Sequence, residues 1–140
     1  MYLVNTRPNI SFDVNSLSQH MVKPKRLHWV VAKHVLRYIA GTVDFDLDYI
    51  RGGGVRLTGY LDSDCAGCVV DRKSTSSCCF GLGSVIVSWF SRKQKSVAPS
   101  SSEAEYMAAS QANCEAIWLR KILFGLFGQE LTPTMIYYNN

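Results

Sequence analysis

Apolar residues recur at Ile10, Val14, Leu17 and Met21, with gaps of four, three and four, which marks one face of a helix over residues 9–21. Asn9, after Pro8, is placed to cap that helix, and Pro24 to end it. A second helix is predicted over residues 25–40, with Leu27, Val31, Val35 and Tyr38 as its apolar stripe and Gly41 as its stop. Lys25, Arg26, Lys33 and Arg37 fall on its other face. The front of the chain therefore reads as a basic helical hairpin.

The period then shortens. Phe45–Ile50 and Val55–Asp62 read as strands joined by Arg51-Gly52-Gly53-Gly54, with Val55, Leu57 and Leu61 on one face and Arg56, Thr58, Tyr60 and Asp62 on the other. Residues 64–75 are polar and loop-like. Cys78–Leu82 and Val85–Phe90 form a further hairpin around Gly83-Ser84. After a basic, serine-rich stretch with Pro99, Ser102-Glu103-Ala104-Glu105 has the pattern of a capping box. A long helix follows over 103–127, ending at Gly128, and a last apolar strand covers Met135–Tyr138.

Composition narrows the class. Of 140 residues 47% are hydrophobic and 19% charged, which excludes a long disordered chain. No run is long and apolar enough for a membrane span, and no basic segment followed by an apolar core marks a secretory signal. The charge is uneven. Residues 1–41 hold six Lys and Arg against Asp13, and the remainder is nearly neutral, within a net charge of +4. A basic front segment suits a polyanion such as nucleic acid as well as it suits a solvated helix face. The five cysteines, an odd set at Cys65, Cys68, Cys78, Cys79 and Cys114, read as reduced thiols rather than a disulfide framework.

Few constellations carry chemistry. Asp62 at a strand end and Glu105 near a helix start can converge on a hard divalent cation such as Mg²⁺, although two ions in a phosphate-ester site need more carboxylates than these. Cys65-Ala66-Gly67-Cys68 lacks the two further ligands that zinc requires. His20, His28 and His34 do not share a helix face and add to the basic surface. Trp29, Trp89 and Trp118 read as core or half-buried anchors.

Several strings together resemble the C-terminal part of copia-type retrotransposon polyproteins, where reverse transcriptase runs into ribonuclease H. They are TRPNISFDVNSLSQHM, HWVVAKHVLRYIAGT, LTGYLDSDCAG, DRKSTSS, SWFSRKQKSVAPSSSEAEYMAASQANCEAIWLRK and PTMIYYNN, in the family's order over nearly the whole chain. The resemblance implies an α/β fold: a truncated ribonuclease H-like mixed sheet of three antiparallel strands, a long helix and one further, parallel strand, over residues 43–140. Residues 1–42 would be the helical tail of the polymerase. It also implies that Asp62 and Glu105 correspond to catalytic carboxylates, with Asp64 and Glu103 as neighbours. The third family acid falls at Asn139, and the fourth lies downstream of residue 140, so two of four metal carboxylates remain. Cys65, Ser77 and Pro99 stand where the family usually has Trp, Gly and Leu. A site so depleted would hold Mg²⁺ weakly and is expected not to cleave nucleic acid.

The chain also resembles secreted RxLR effectors of downy-mildew oomycetes, proteins that enter plant cells and commonly suppress cell death and defence. The nearest string to Arg-x-Leu-Arg is His34-Val35-Leu36-Arg37. This resemblance implies secretion, action in the host nucleus or cytoplasm, and a host protein partner. The alternative is a degenerate fragment without a selected role, binding nucleic acid weakly and non-specifically through Lys25, Arg26, Lys33 and Arg37. With the last elements of the ribonuclease H fold missing, a sheet edge and the helix face of Trp118, Ile122 and Leu126 should stand uncovered and favour self-association.

Overall fold

The computed structural model describes residues 2–46, 56–65, 67, 71–128 and 130–138. It divides into two compact units, Met1–Leu47 and Asp48–Asn140.

The first unit is helical. α1 spans Tyr2–Thr6, a 3-10 turn Pro8–Ile10, α2 Ser11–Ser18 and α3 Arg26–Gly41. α2 is shorter than its apolar spacing predicts. Ile10 is buried but Met21 lies beyond the helix and is exposed, and Asn9 does not cap α2: its side-chain amide donates instead to the Tyr38 hydroxyl. In α3 the inward stripe is Val31, Ala32, Val35 and Ile39, while Leu27 and Tyr38 face solvent. Arg7 joins the unit's two ends. Its guanidinium donates to the Thr42 hydroxyl at 2.7 Å and to the Thr42 carbonyl at 2.9 Å. A cation at the carbonyl end of α3 is favoured by the helix dipole.

The second unit has β1 at Leu57–Asp64, β2 at Thr75–Leu82, β3 at Val85–Lys93, α4 at Ser101–Phe127 and β4 at Met135–Tyr138. The sheet order is β3-β2-β1-β4. β1–β2 and β2–β3 are antiparallel, and β4 is parallel to β1. This is the mixed sheet of three antiparallel strands, long helix and one parallel strand that the ribonuclease H resemblance implies. The expected strand Phe45–Ile50 and its glycine turn fall mostly outside the described residues; Phe45 and Asp46 are not in a strand.

α4 packs on one sheet face through Ala104, Ala108, Ala112, Ala116, Leu119 and Leu123, all buried. The small alanines bring the helix axis close to the strands, where Leu57, Leu61, Cys78 and Phe80 complete the core. The helix starts two residues earlier than the capping-box reading places it. Ser100, in extended backbone, accepts the Glu103 amide at 3.2 Å, so Ser102 and Glu105 already lie inside the helix. Gly128, at φ +66°, ends it in the left-handed conformation that glycine adopts without strain. Trp118, Ile122 and Leu126 are exposed along the outer side of α4. Trp29 is also exposed and only Trp89 is half-buried, so two of the three tryptophans are not core anchors. No described helix is long and apolar enough to cross a membrane.

Candidate functional site

Strand alternation sets the positions of the two carboxylates. Leu57, Gly59 and Leu61 are buried against α4, so Thr58, Tyr60, Asp62 and Asp64 project from the opposite face. Asp62 is exposed there and sits opposite Ser77 of β2, next to Tyr60, whose ring stacks on Tyr137 at 5.5 Å. Asp62 is not a strand end, because β1 continues to Asp64.

Glu105 is half-buried on the inner side of α4. It lines a cleft of about 420 Å³ with Leu61, Tyr106, Ala109, Asn113, Ile136 and Tyr138. Tyr138 reaches the Ser63 hydroxyl at 3.2 Å, which ties the end of β4 to β1 beside this cleft. Asp62 is not part of the lining, so the structure sets Glu105 beside Leu61 and Tyr138, and Asp62 on the other face. Asp64 and Glu103 are exposed. Asn139 lies outside the described residues. Among the described residues no group of three or more His, Cys, Asp or Glu could hold a metal ion.

Two residues that carry no motif hold this arrangement together. Gln94 is buried and donates its side-chain amide to the Ser76 hydroxyl and to the Ala104 carbonyl, both at 2.9 Å. It thereby fixes the first turns of α4, and with them Glu105, against β2. Arg120 donates to the Leu131 carbonyl at 2.9 Å and to the Thr132 carbonyl at 2.6 Å, clamping the segment that leads into β4. A polar residue just after a strand and an arginine in mid-helix give no periodic signal, so neither is visible in the pattern of the chain.

Three of the basic residues of α3 share one face. At 100° per residue Arg26, Lys33 and Arg37 fall within about 40° of one another, opposite the buried Val35. All three are exposed, as is Lys25 at the N-cap, and the Lys33 ammonium lies 5.6 Å from the Trp29 ring centre. The string His34-Val35-Leu36-Arg37 is one turn of α3, with Val35 inward and the other three exposed. His20 and His28, expected to lie in helices without sharing a face, stack at 4.0 Å, and His20 belongs to the turn after α2 and not to a helix. His28 Nδ1 accepts the Lys25 amide at 3.1 Å and so closes the start of α3.

Among the cysteines, Cys65 and Cys114 are exposed free thiols. Burial, then the Cys79 thiol and the Glu115 carboxylate, push the Cys78 thiol up to about 12. Burial also raises Cys79.

No family model and no solved structure matches the chain. It is 48% identical over 120 residues to Secreted RxLR effector protein 161 of Plasmopara viticola, covering 85% of this chain and 84% of that protein. It is 42% identical over 139 residues to the retrovirus-related Pol polyprotein from transposon RE2 of Arabidopsis thaliana, covering 99% of this chain but 10% of the polyprotein. It is 38% identical over 117 residues to the uncharacterized mitochondrial protein AtMg00810 of the same plant, covering 84% of this chain and 49% of that one. The chain thus spans about a tenth of the Pol polyprotein and most of the effector-named protein. It belongs to one family with Secreted RxLR effector protein 161, and is similar to a segment of the retrovirus-related Pol polyproteins of transposons.

Proposed function

We propose that this chain is a non-enzymatic, retrotransposon-derived protein of the secreted RxLR-effector class, acting inside plant host cells to suppress cell death or defence through a host protein partner. The observation that carries the reading is the 48% identity to a protein named a secreted RxLR effector, extended over 84% of that protein's length. In this reading Asp62 and Glu105 are vestiges of a catalytic pair, and Asn139, an amide that brings no negative charge, stands at the position of a lost third acid. Expression of the tagged chain in leaf cells, together with a cell-death trigger, tests it. The expected result is reduced cell death with the protein in nucleus or cytoplasm. Undiminished cell death, or Mg²⁺-dependent cleavage of a labelled RNA–DNA hybrid that Asp62→Asn abolishes, would overturn it.

A second reading draws on the Pol relatives and on the basic face of α3: a degenerate ribonuclease H-like fragment with residual nucleic-acid binding and no selected role. Phosphate contacts release counterions, so affinity should fall with salt, and each of Arg26, Lys33 and Arg37 changed to Gln should lower the log–log slope by about 0.7–0.9. Binding that ignores salt between roughly 50 and 200 mM speaks against this reading.

A further inference from the structure

On the far side of α4 from Glu105 lies a second concavity, of about 390 Å³, between the edge strand β3 and the middle of the helix. Arg92, Lys93 and Lys95 supply one wall, and Ser110, Gln111, Cys114 and Glu115 of α4 supply the other. Two acids bear on its charge, Asp71 beside it and Glu115 in its lining. Asp71 holds the Lys93 ammonium at 2.9 Å, and Glu115 accepts the Ser88 hydroxyl at 2.7 Å. Arg92 is braced by the Phe90 ring, 5.3 Å from its guanidinium carbon, and otherwise makes no hydrogen bond or ion pair among the described residues. The side chains of Lys95, Ser110 and Gln111 make none either.

Lysines on an edge strand are a common guard against strand pairing, and that alone explains a charged edge. It does not explain a concave wall completed from a different element by a hydroxyl and an amide. With Lys93 paired to Asp71, the cleft presents Arg92 and Lys95 against the single carboxylate of Glu115, a net positive charge, together with two neutral donors. A ligand that fits is an anion rich in acceptors, able to engage both cations and both neutral donors at once. A carboxylate has two oxygens and a single charge. A phosphomonoester has three acceptor oxygens and about −1.5 to −2 charges at neutral pH, and it forms charge-assisted bonds with Arg and Lys. The volume lies in the range of small-molecule sites.

We propose that this cleft is a binding site for a phosphomonoester, with Arg92 and Lys95 as the charged contacts and Ser110 and Gln111 as the neutral donors. It is separate from the Glu105 cleft. The ester has two sources of the same chemistry, a free mononucleotide or a phosphorylated side chain.

The test is an NMR titration of the ¹⁵N-labelled full chain with inorganic phosphate, adenosine monophosphate and O-phosphoserine, with sodium chloride holding ionic strength constant. Saturable shifts at Ser110, Gln111 and Arg92 are expected, and the tighter of the two organic ligands identifies the source. Arg92→Gln and Lys95→Gln should each weaken binding about tenfold or more. Lys121→Gln, an exposed cation elsewhere on α4, should leave it unchanged. If the double variant fails to fold, Gln111→Glu, at an exposed helix position, should repel the ligand with the fold intact. In a Cys65→Ser background, phosphate should also slow alkylation of the exposed Cys114, which lines the same cleft. Shifts that fail to saturate, that sodium chloride reproduces, or that persist after both cations are removed would overturn the proposal.

Discussion

Gly59 is the position where a single methyl group should be felt most. It pairs with Phe80 across β1–β2 and with Ile136 across β1–β4. A Cβ there would stand 2.7 Å from Phe80 Cε1, 3.1 Å from its Cδ1 and 3.2 Å from Ile136 Cγ1. Carbon atoms rest at about 3.5–4.0 Å, so the nearest contact is short by almost an ångström. Phe80 is fully buried, and its ring has no solvent to swing into. Against the clash stands the smaller entropy of an unfolded chain with alanine, a gain of about 0.4–1 kcal/mol. Overpacking of a close-packed core costs about 1–3 kcal/mol. Gly59→Ala is therefore expected to destabilise the second unit by about 1–2 kcal/mol. Gly125→Ala serves as the opposite-sign control. It lies within α4 with nothing within 4 Å of the added carbon, and should stabilise by about 0.5–1 kcal/mol. Urea titrations followed by circular dichroism should move the two midpoints in opposite directions at an unchanged slope. A Gly59→Ala midpoint equal to or above the parent's would refute the packing argument.

Arg120→Met should release residues 131–134 and β4, read as faster amide exchange at Tyr137 and Tyr138 with β1–β2 exchange unchanged. At pH 7.5 a maleimide should label Cys65 and Cys114 long before Cys78, whose thiol is pushed up to about 12; mass spectrometry showing Cys78 labelled as fast as Cys114 contradicts this. His28 lies below its ordinary 6.5, through partial desolvation first and then the nearby His20 and Lys25. The folded hairpin therefore takes up that proton later than the unfolded chain. Its contribution is complete above about 6.5 and is lost as pH falls through the folded value. An NMR titration should show His28 protonating below its ordinary 6.5, and His28→Gln should flatten the acid limb of a stability profile.

The features legible in the chain are those that one stretch of residues determines alone. Gly83-Ser84 marks its hairpin, Gly128 its helix end, and the apolar run Met135–Tyr138 its strand. The strand ends were less legible because β2 and β3 continue through Ser76, Ser77 and Ser91, polar residues that pair across the sheet instead of alternating with apolar ones. Ser77 and Ser91 bond each other through their hydroxyls at 3.1 Å, while Ser76 is sealed by Gln94. The alanine stripe of α4 gives almost no amphipathic contrast, since small residues face inward while Trp118, Ile122 and Leu126 face out. Asp62 and Glu105 could be picked from the family strings, but their placement on different sides of β1 depends on which strand face the helix covers. The basic cleft joins residues 92–95 to residues 110–115 only through the packing of α4 on β3.

The parallel pairing of β4 with β1 bears on the order in which the second unit assembles. β2 and β3 are joined by a short turn, and β1 adds to them as a meander, so three strands can form from contacts of modest sequence separation. Thr58, by contrast, meets Met135 only after the whole of α4 has been made and laid across the sheet. Loop-closure entropy delays such distant pairings, and antiparallel neighbours form ahead of them. On a ribosome β4 is therefore the final strand of this sheet to dock, and until it does the cleft beside Glu105 has no Ile136 or Tyr138 wall. A nascent chain at that stage carries a bare β1 edge, the point at which a chaperone or another strand competes most effectively with β4.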